Sequence, residues 1–187
     1  MNKGILIAIV CCVLPVVITW FGLRSGKERT NYPNTQQNQA QTQVTGTEIG
    51  SLSPEFQLKD IDNKPIKKDD LKGKPAIIWF TTSYCVPCQI GAKEVKRLDE
   101  DMGGDKFKVV MVFLDQKETE QDLRAWKKNF ASQDWLVAFG NEKVITDYKI
   151  RYLDTQYLLD KDGIIRNIAN SNVGYEGYKK KISSLIQ

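Results

Sequence analysis

The chain has no histidine among its 187 residues and only four cysteines. A closed structural zinc site takes four ligands, mostly cysteine and histidine. Cys85 and Cys88 stand two residues apart, whereas Cys11 and Cys12 lie far away in an apolar run. Zinc therefore lacks its ligands, and no metal ligand is assigned. An excess of charge is missing too. Lys3, Arg24, Lys27 and Arg29 against Glu28 account for +3 of the chain's +4, so everything after residue 30 is close to neutral. That balance argues against a nucleic-acid surface.

What the chain does have at its start is a run of 20 uncharged residues, Gly4 to Leu23, with Trp20 and Phe21 near one end. The length spans a bilayer hydrocarbon core, and the aromatics suit its interface. Pro15 falls mid-run, which membrane helices tolerate. No A-x-A-like cleavage site follows the run, and the residues ahead of Cys11 and Cys12 are not the small ones expected before a lipidated cysteine. Residues 1–24 thus read as an uncleaved single-pass membrane anchor. Residues 25–47 shift to Asn, Gln, Thr and Gly, too polar to offset their ordering entropy, and read as a flexible linker. Residues 48–187 form the globular domain. Arg24, Lys27 and Arg29 would keep that domain cytoplasmic by the positive-inside count. The spacer-like linker and the oxidising compartment that a two-cysteine redox domain usually serves favour the extracytoplasmic side, and that is the reading taken.

The chemistry concentrates at Ile77-Ile78-Trp79-Phe80-Thr81-Thr82-Ser83-Tyr84-Cys85-Val86-Pro87-Cys88. A β-prone apolar run ends in two cysteines and leads into a helix-competent segment. At a strand-to-helix junction the first sulfur sits over unpaired N–H groups and the positive end of the helix dipole. That field favours thiolate. Cys85 becomes the attacking thiolate and Cys88, one turn on, the resolving thiol. The rival reading is a purely structural disulfide, but so small a loop gains little from closure; CxxC beside a strand pattern favours a redox pair. Tyr84, Val86 and Pro87 would rim the site and meet substrate.

Along the domain, Phe56, Leu58 and Ile61, the turn Asp62-Asn63 and then Ile66 to Leu71 fit two short strands. Ala76 to Phe80 reads as a strand covered on both faces. Ile90, Val95, Leu98 and Met102 recur at helical spacing up to Gly103-Gly104. Phe107–Leu114 reads as a strand and Glu118–Phe130 as an amphipathic helix with Leu123, Trp126 and Phe130 packed inward. Trp135–Phe139 suggests a strand and Lys143–Lys149 a short helix. Thr155–Leu159, the turn Asp160–Gly163 and Ile164–Ile168 suggest a hairpin. Tyr175–Ile186 closes the chain as a helix with Tyr178, Ile182 and Leu185 buried. The order implies an α/β domain, a mixed sheet with helices on both faces.

This order, with Cys-Val-Pro-Cys at the first strand-to-helix junction, resembles the thioredoxin fold. More narrowly, it resembles the membrane-anchored thiol–disulfide oxidoreductases of the TlpA/ResA type. The matching motifs are Pro54-Glu55-Phe56-Gln57-Leu58, Leu71-Lys72-Gly73-Lys74-Pro75, Tyr84 before the cysteines, and Tyr157-Leu158-Leu159-Asp160-Lys161-Asp162-Gly163. The resemblance covers about residues 48–187. Three positions depart from it. The family's cis-proline before the late strand corresponds to Asp154, within Leu153-Asp154-Thr155-Gln156; a glutamate common three residues past the second cysteine corresponds to Gly91; and thioredoxin's buried aspartate corresponds to Trp79. If the Asp154 loop packs on the cysteines as in the family, its carboxylate disfavours the Cys85 thiolate and can accept the Cys88 proton. Asp154 then joins Cys85 and Cys88 as a candidate catalytic residue, with Leu153 and Thr155 as substrate contacts. The alternative is a solvated loop acid.

The resemblance implies an enzyme that exchanges disulfides with cysteine-containing proteins and is recycled by an upstream redox partner. It needs no cofactor beyond the Cys85–Cys88 pair. Two other readings stand beside it. Sco-type copper chaperones share the fold, but use cysteines three apart and a histidine, leaving at most a two-thiolate Cu(I) site here. A peroxiredoxin-type peroxidase is suggested by Thr82 three residues before Cys85, while Ile78 stands where its proline would be.

Overall fold

The computed structural model describes residues 43–186; the expected anchor and nearly all of the expected linker lie outside the described residues. Ordered pairing starts ahead of Glu48, where Thr45 bridges Leu52 and Leu52 N–H donates to Val44 O at 3.0 Å.

Strand β1 (Gln57–Lys59) pairs antiparallel with β2 (Pro65–Lys67) as a separate small hairpin. The rest of the expected second strand, Lys68–Leu71, turns instead into a short 3-10 helix. Asp70 draws it in by accepting the Lys67 N–H at 2.7 Å. The main sheet has five strands in the order β5-β4-β3-β6-β7. Its members are β3 (Ala76–Thr81), β4 (Lys108–Phe113), β5 (Leu136–Phe139), β6 (Thr155–Leu159) and β7 (Ile165–Ala169). β3, β4 and β5 run parallel; β6 and β7 join antiparallel.

β3 is central and every residue of it is buried. Its side chains alternate between two cores, as the strand period requires. Ile77 and Trp79 face one, with Val109, Met111, Phe113 and Leu158. Ile78 and Phe80 face the other, with Val110, Val112, Tyr157 and Leu159. The first core is closed by α1 (Val86–Asp101), α2 (Glu120–Phe130) and α4 (Gly174–Ser183); the second by the β1–β2 hairpin and α3 (Glu142–Asp147). This is the mixed sheet with helices on both faces. A Thr119–Asp122 capping box starts α2, and Asn141 caps α3.

Two details differ from the sequence reading. Ile90 is 51 % exposed, because α1 begins at Val86 and its inward stripe runs through Cys88, Gly91, Ala92, Val95 and Leu98. Helix α4 stops at Ser183, where Ser184 caps it and its hydroxyl bonds back to Lys181 O. Leu185 is only partly buried beyond the helix end.

Candidate active site

Cys85 is the N-cap of α1, and Cys88 lies one turn inside. The two form a disulfide with their Cα atoms 5.3 Å apart. Cys88 N–H points at Cys85 Sγ at 3.4 Å, so a helix-terminal donor serves the outer sulfur. Cys88 is fully buried, whereas Cys85 retains 9 % exposure. That asymmetry assigns attack to Cys85. Pro87, at the second helical position, lacks an N–H where none is needed and holds φ for the turn.

The loop before the motif is held from α2 and its approach. Ser83 N–H donates to Glu118. Tyr84 hydroxyl donates to Asp115 Oδ2 at 3.0 Å, and that hydrogen bond raises the phenol's pKa. Gln89 Nε2 reaches back to Ser83 O at 2.6 Å. The segments that bracket the motif expose large apolar side chains. Tyr84, Val86, Ile90, Tyr152 and Leu153 are all exposed, as is Pro87. Thr155, expected to contact substrate, is buried, and its hydroxyl donates to Tyr152 O at 2.7 Å. Ile90, one turn along α1 from Val86, and Tyr152, which lines a pocket with Thr47, Glu48 and Lys149, are exposed apolar residues that the sequence did not pick out for the site. Their signal in the sequence was faint, since each reads as one more apolar residue of its segment.

Asp154 is no solvated loop acid. It is 5 % exposed and sits at the carboxyl end of β3, where its N–H donates to Phe80 O at 3.0 Å. Its φ of 66° is left-handed, a conformation aspartate visits more readily than most residues. Oδ1 accepts from Trp79 Nε1 at 2.8 Å and from Gln156 Nε2 at 3.0 Å. Oδ2 is buried without a protein partner. Burial raises the carboxyl pKa above the ordinary aspartate value, against the lowering by its Gln156 and Trp79 hydrogen bonds.

The three positions at which the chain departs from the TlpA/ResA pattern therefore converge. Trp79 is fully buried in the same cluster as Cys85 and Cys88 and carries the donor that holds Asp154. Its ring leaves no room at Gly91: a Cβ there would lie 2.8 Å from Trp79 Cη2 and 3.2 Å from the Tyr178 hydroxyl. Neither a strand acid at 79 nor a helix acid at 91 is present, and one loop acid is buried against the residues that replaced them. Gln156, alone polar within the buried stretch of β6 after Thr155, was the one overlooked signal of this cluster. Among the described residues no group of three or more ligating side chains forms a metal site.

The AhpC/TSA family model matches residues 49–168. The thiol-disulfide oxidoreductase ResA of Bacillus cereus is 31 % identical over 140 residues, covering 73 % of this chain and 79 % of that protein. The thioredoxin-like protein YneN of Bacillus subtilis is 27 % identical over 124 residues, covering 66 % and 72 %. Among solved structures, a thioredoxin-family thiol:disulfide interchange protein of Chlorobium tepidum superposes with a TM-score of 0.63 at 17 % identity, covering 72 % of this chain and 95 % of that one. Copper-bound ScoI of Bradyrhizobium japonicum superposes with 0.61 at 22 % identity, covering 72 % and 99 %; the likeness there is one of fold. With a CxxC disulfide at the head of a helix, and with these relatives, the chain belongs to the AhpC/TSA family as a ResA/TlpA-type redoxin and is a thiol–disulfide oxidoreductase.

Proposed function

We propose that the protein is a membrane-tethered reductase of protein disulfides, with residues 1–24 as anchor, 25–47 as linker and its domain on the extracytoplasmic side. Cys85 thiolate attacks a substrate disulfide and forms a mixed disulfide. Cys88 loses its proton to Asp154 and attacks Cys85 Sγ, which releases the second substrate thiol and leaves the Cys85–Cys88 disulfide. An upstream dithiol then returns two electrons and two protons. Tyr84, Val86 and Pro87, with Leu153, form the apolar collar on which a substrate polypeptide rests. No cofactor beyond the thiol pair enters this cycle.

The observation that carries the direction is the buried Asp154 carboxyl, held by Trp79 and Gln156. Redox pairs become oxidants when their reduced, thiolate form is stabilised. A buried acid near the pair would do the opposite whenever it is ionised, since like charge disfavours thiolate, and Asp154 is held by Trp79, which shares a core cluster with Cys85 and Cys88. The helix terminus keeps Cys85 reactive while Asp154 keeps the pair reducing. Equilibrating the full chain in detergent with glutathione or a lower-potential thiol tests this. A potential near that of thioredoxin, about −270 mV, is expected; one toward about −120 mV would make the protein an oxidant and overturn the reading.

A further inference from the structure

Asp154 Oδ2, Gln156 Oε1, the Tyr178 hydroxyl and Glu94 Oε2 are buried without a close hydrogen bond to protein, although Gln156 and the Val173 backbone flank the Tyr178 hydroxyl and the Asn172 backbone flanks Asp154. The four oxygens come from α1, β6, α4 and the loop that leads into β6. Gln156 Nε2 is bonded to Asp154. Tyr178, fully buried on α4, stacks on Trp79 at 5.9 Å between ring centroids. Its hydroxyl is flanked by Gln156, Asp154 and Glu94, and burial, the largest influence, drives its pKa far above the usual tyrosine range. It therefore stays a neutral hydroxyl, able to accept one proton while donating its own. The gap it occupies is the one that Gly91 leaves open. Glu94 stands one helical turn beyond Gly91, on the same side of α1. It is half-buried, with one oxygen inside and the residue reaching the surface. Buried unpaired polar atoms are rare, and each calls for a reason; a row of them from a buried acid to a surface acid fits proton conduction, with ordered water joining the oxygens.

We infer that Asp154, Gln156, Tyr178 and Glu94 form a proton path between the buried Cys88 thiol and solvent at the α1–α4 surface. The path rests on the reading of Asp154 as proton acceptor for Cys88. In the resolving step the Cys88 S–H bond breaks and its proton goes to Asp154. Cys88 sulfur then bonds to Cys85 Sγ as the mixed disulfide's S–S bond breaks, and the leaving thiolate departs with the electron pair. The proton on Asp154 moves by way of the Tyr178 hydroxyl to Glu94 and into water. A closed collar of substrate over Cys85 would block the direct route to solvent, so a rear exit lets resolution proceed under a bound polypeptide. Gln156, bonded to Asp154, is a positioning residue, whereas the Tyr178 hydroxyl passes the proton on. The groups facing Asp154 are Trp79 from β3, Gln156 from β6, Tyr178 from α4 and the Asn172 backbone; Glu94 of α1 faces Tyr178.

The test uses the full chain in detergent, with Cys11 and Cys12 changed to serine. The reduced protein is mixed in stopped flow with an aromatic disulfide that releases one coloured thiolate at Cys85 attack and a second at resolution. Tyr178→Phe and Glu94→Ala are expected to slow the second phase by roughly tenfold, less than the hundredfold or more of a direct proton acceptor. The first phase should be unchanged. The pH dependence of the second phase should flatten, and formate should restore Glu94→Ala in proportion to its concentration. A second phase that keeps its rate, or slows with the original pH profile and no response to formate, overturns the path. Asp154→Asn separates the two readings: if it slows resolution while the other variants do not, the path alone fails. If Asp154→Asn leaves resolution untouched, the acceptor itself is lost, and the path with it.

Discussion

At the scale of single residues, the unusual group is Asp154, which combines a left-handed backbone, a buried carboxyl and a raised pKa. The sign of its effect on stability follows from the direction of the shift. A carboxyl whose folded pKa lies above its unfolded value binds its proton more tightly in the folded state, so its contribution is full below about pH 4 and is lost as pH rises through the folded pKa. Asp154→Asn keeps the Oδ1 acceptor for Trp79 and tolerates the positive φ. It should therefore unfold at higher denaturant concentration near neutrality, with the advantage shrinking toward pH 4. Asp154→Pro tests the backbone. Proline cannot adopt a φ of 66° and lacks the N–H that bonds Phe80 O. A loss of about 1–3 kcal/mol in chemical denaturation is expected. A proline variant as stable as the parent would show that the loop re-forms in another geometry.

At the scale of elements, most of the architecture was legible because each segment carried its own period. β3 reads as a continuous apolar run, α2 as an amphipathic helix, and the β6–β7 hairpin is announced by Asp160–Gly163. The CxxC pair and its helix were equally plain. What could not be read was the face that Ile90 takes, since its apolar character says nothing of exposure, and the partnership of Trp79 with Asp154, which are 75 residues apart. Helix α1 shows the physical reason. Gly91 looks like a flaw in a helix, costing about 1 kcal/mol against alanine. In the fold it is the hole that receives Trp79 and Tyr178. Gly91→Ala should therefore destabilise by about 1 kcal/mol or more despite its better helix propensity, because overpacking costs about 1–3 kcal/mol. Urea unfolding decides it; a more stable alanine variant would mean that the indole shifts without penalty and that the close approach is incidental.

At the scale of the whole molecule, the domain is a carrier for one sulfur just below the surface, Cys85 Sγ. Beside that sulfur the chain exposes an apolar collar of Tyr84, Val86 and Pro87, while its net charge after residue 30 is close to zero. Such a collar suits the unfolded or extended stretches of protein in which disulfides are accessible, and it gives little long-range steering to a charged partner. Holding the domain at a membrane raises its effective concentration near partners held there, which is what residues 1–47 would contribute. The side matters because disulfides persist in oxidising compartments and are rare in the cytosol, whereas Arg24, Lys27 and Arg29 pull the opposite way. A charged, membrane-impermeant maleimide applied to intact cells that express the Cys11→Ser, Cys12→Ser chain settles the orientation. After mild reduction Cys85, the less buried thiol of the pair, should be labelled without permeabilising the membrane, and Cys85→Ser should lose most of the signal. Labelling that appears only after permeabilisation would put the domain on the cytoplasmic side. The basic residues after the apolar run would then have set its topology, and the substrates would have to be sought among cytosolic thiols.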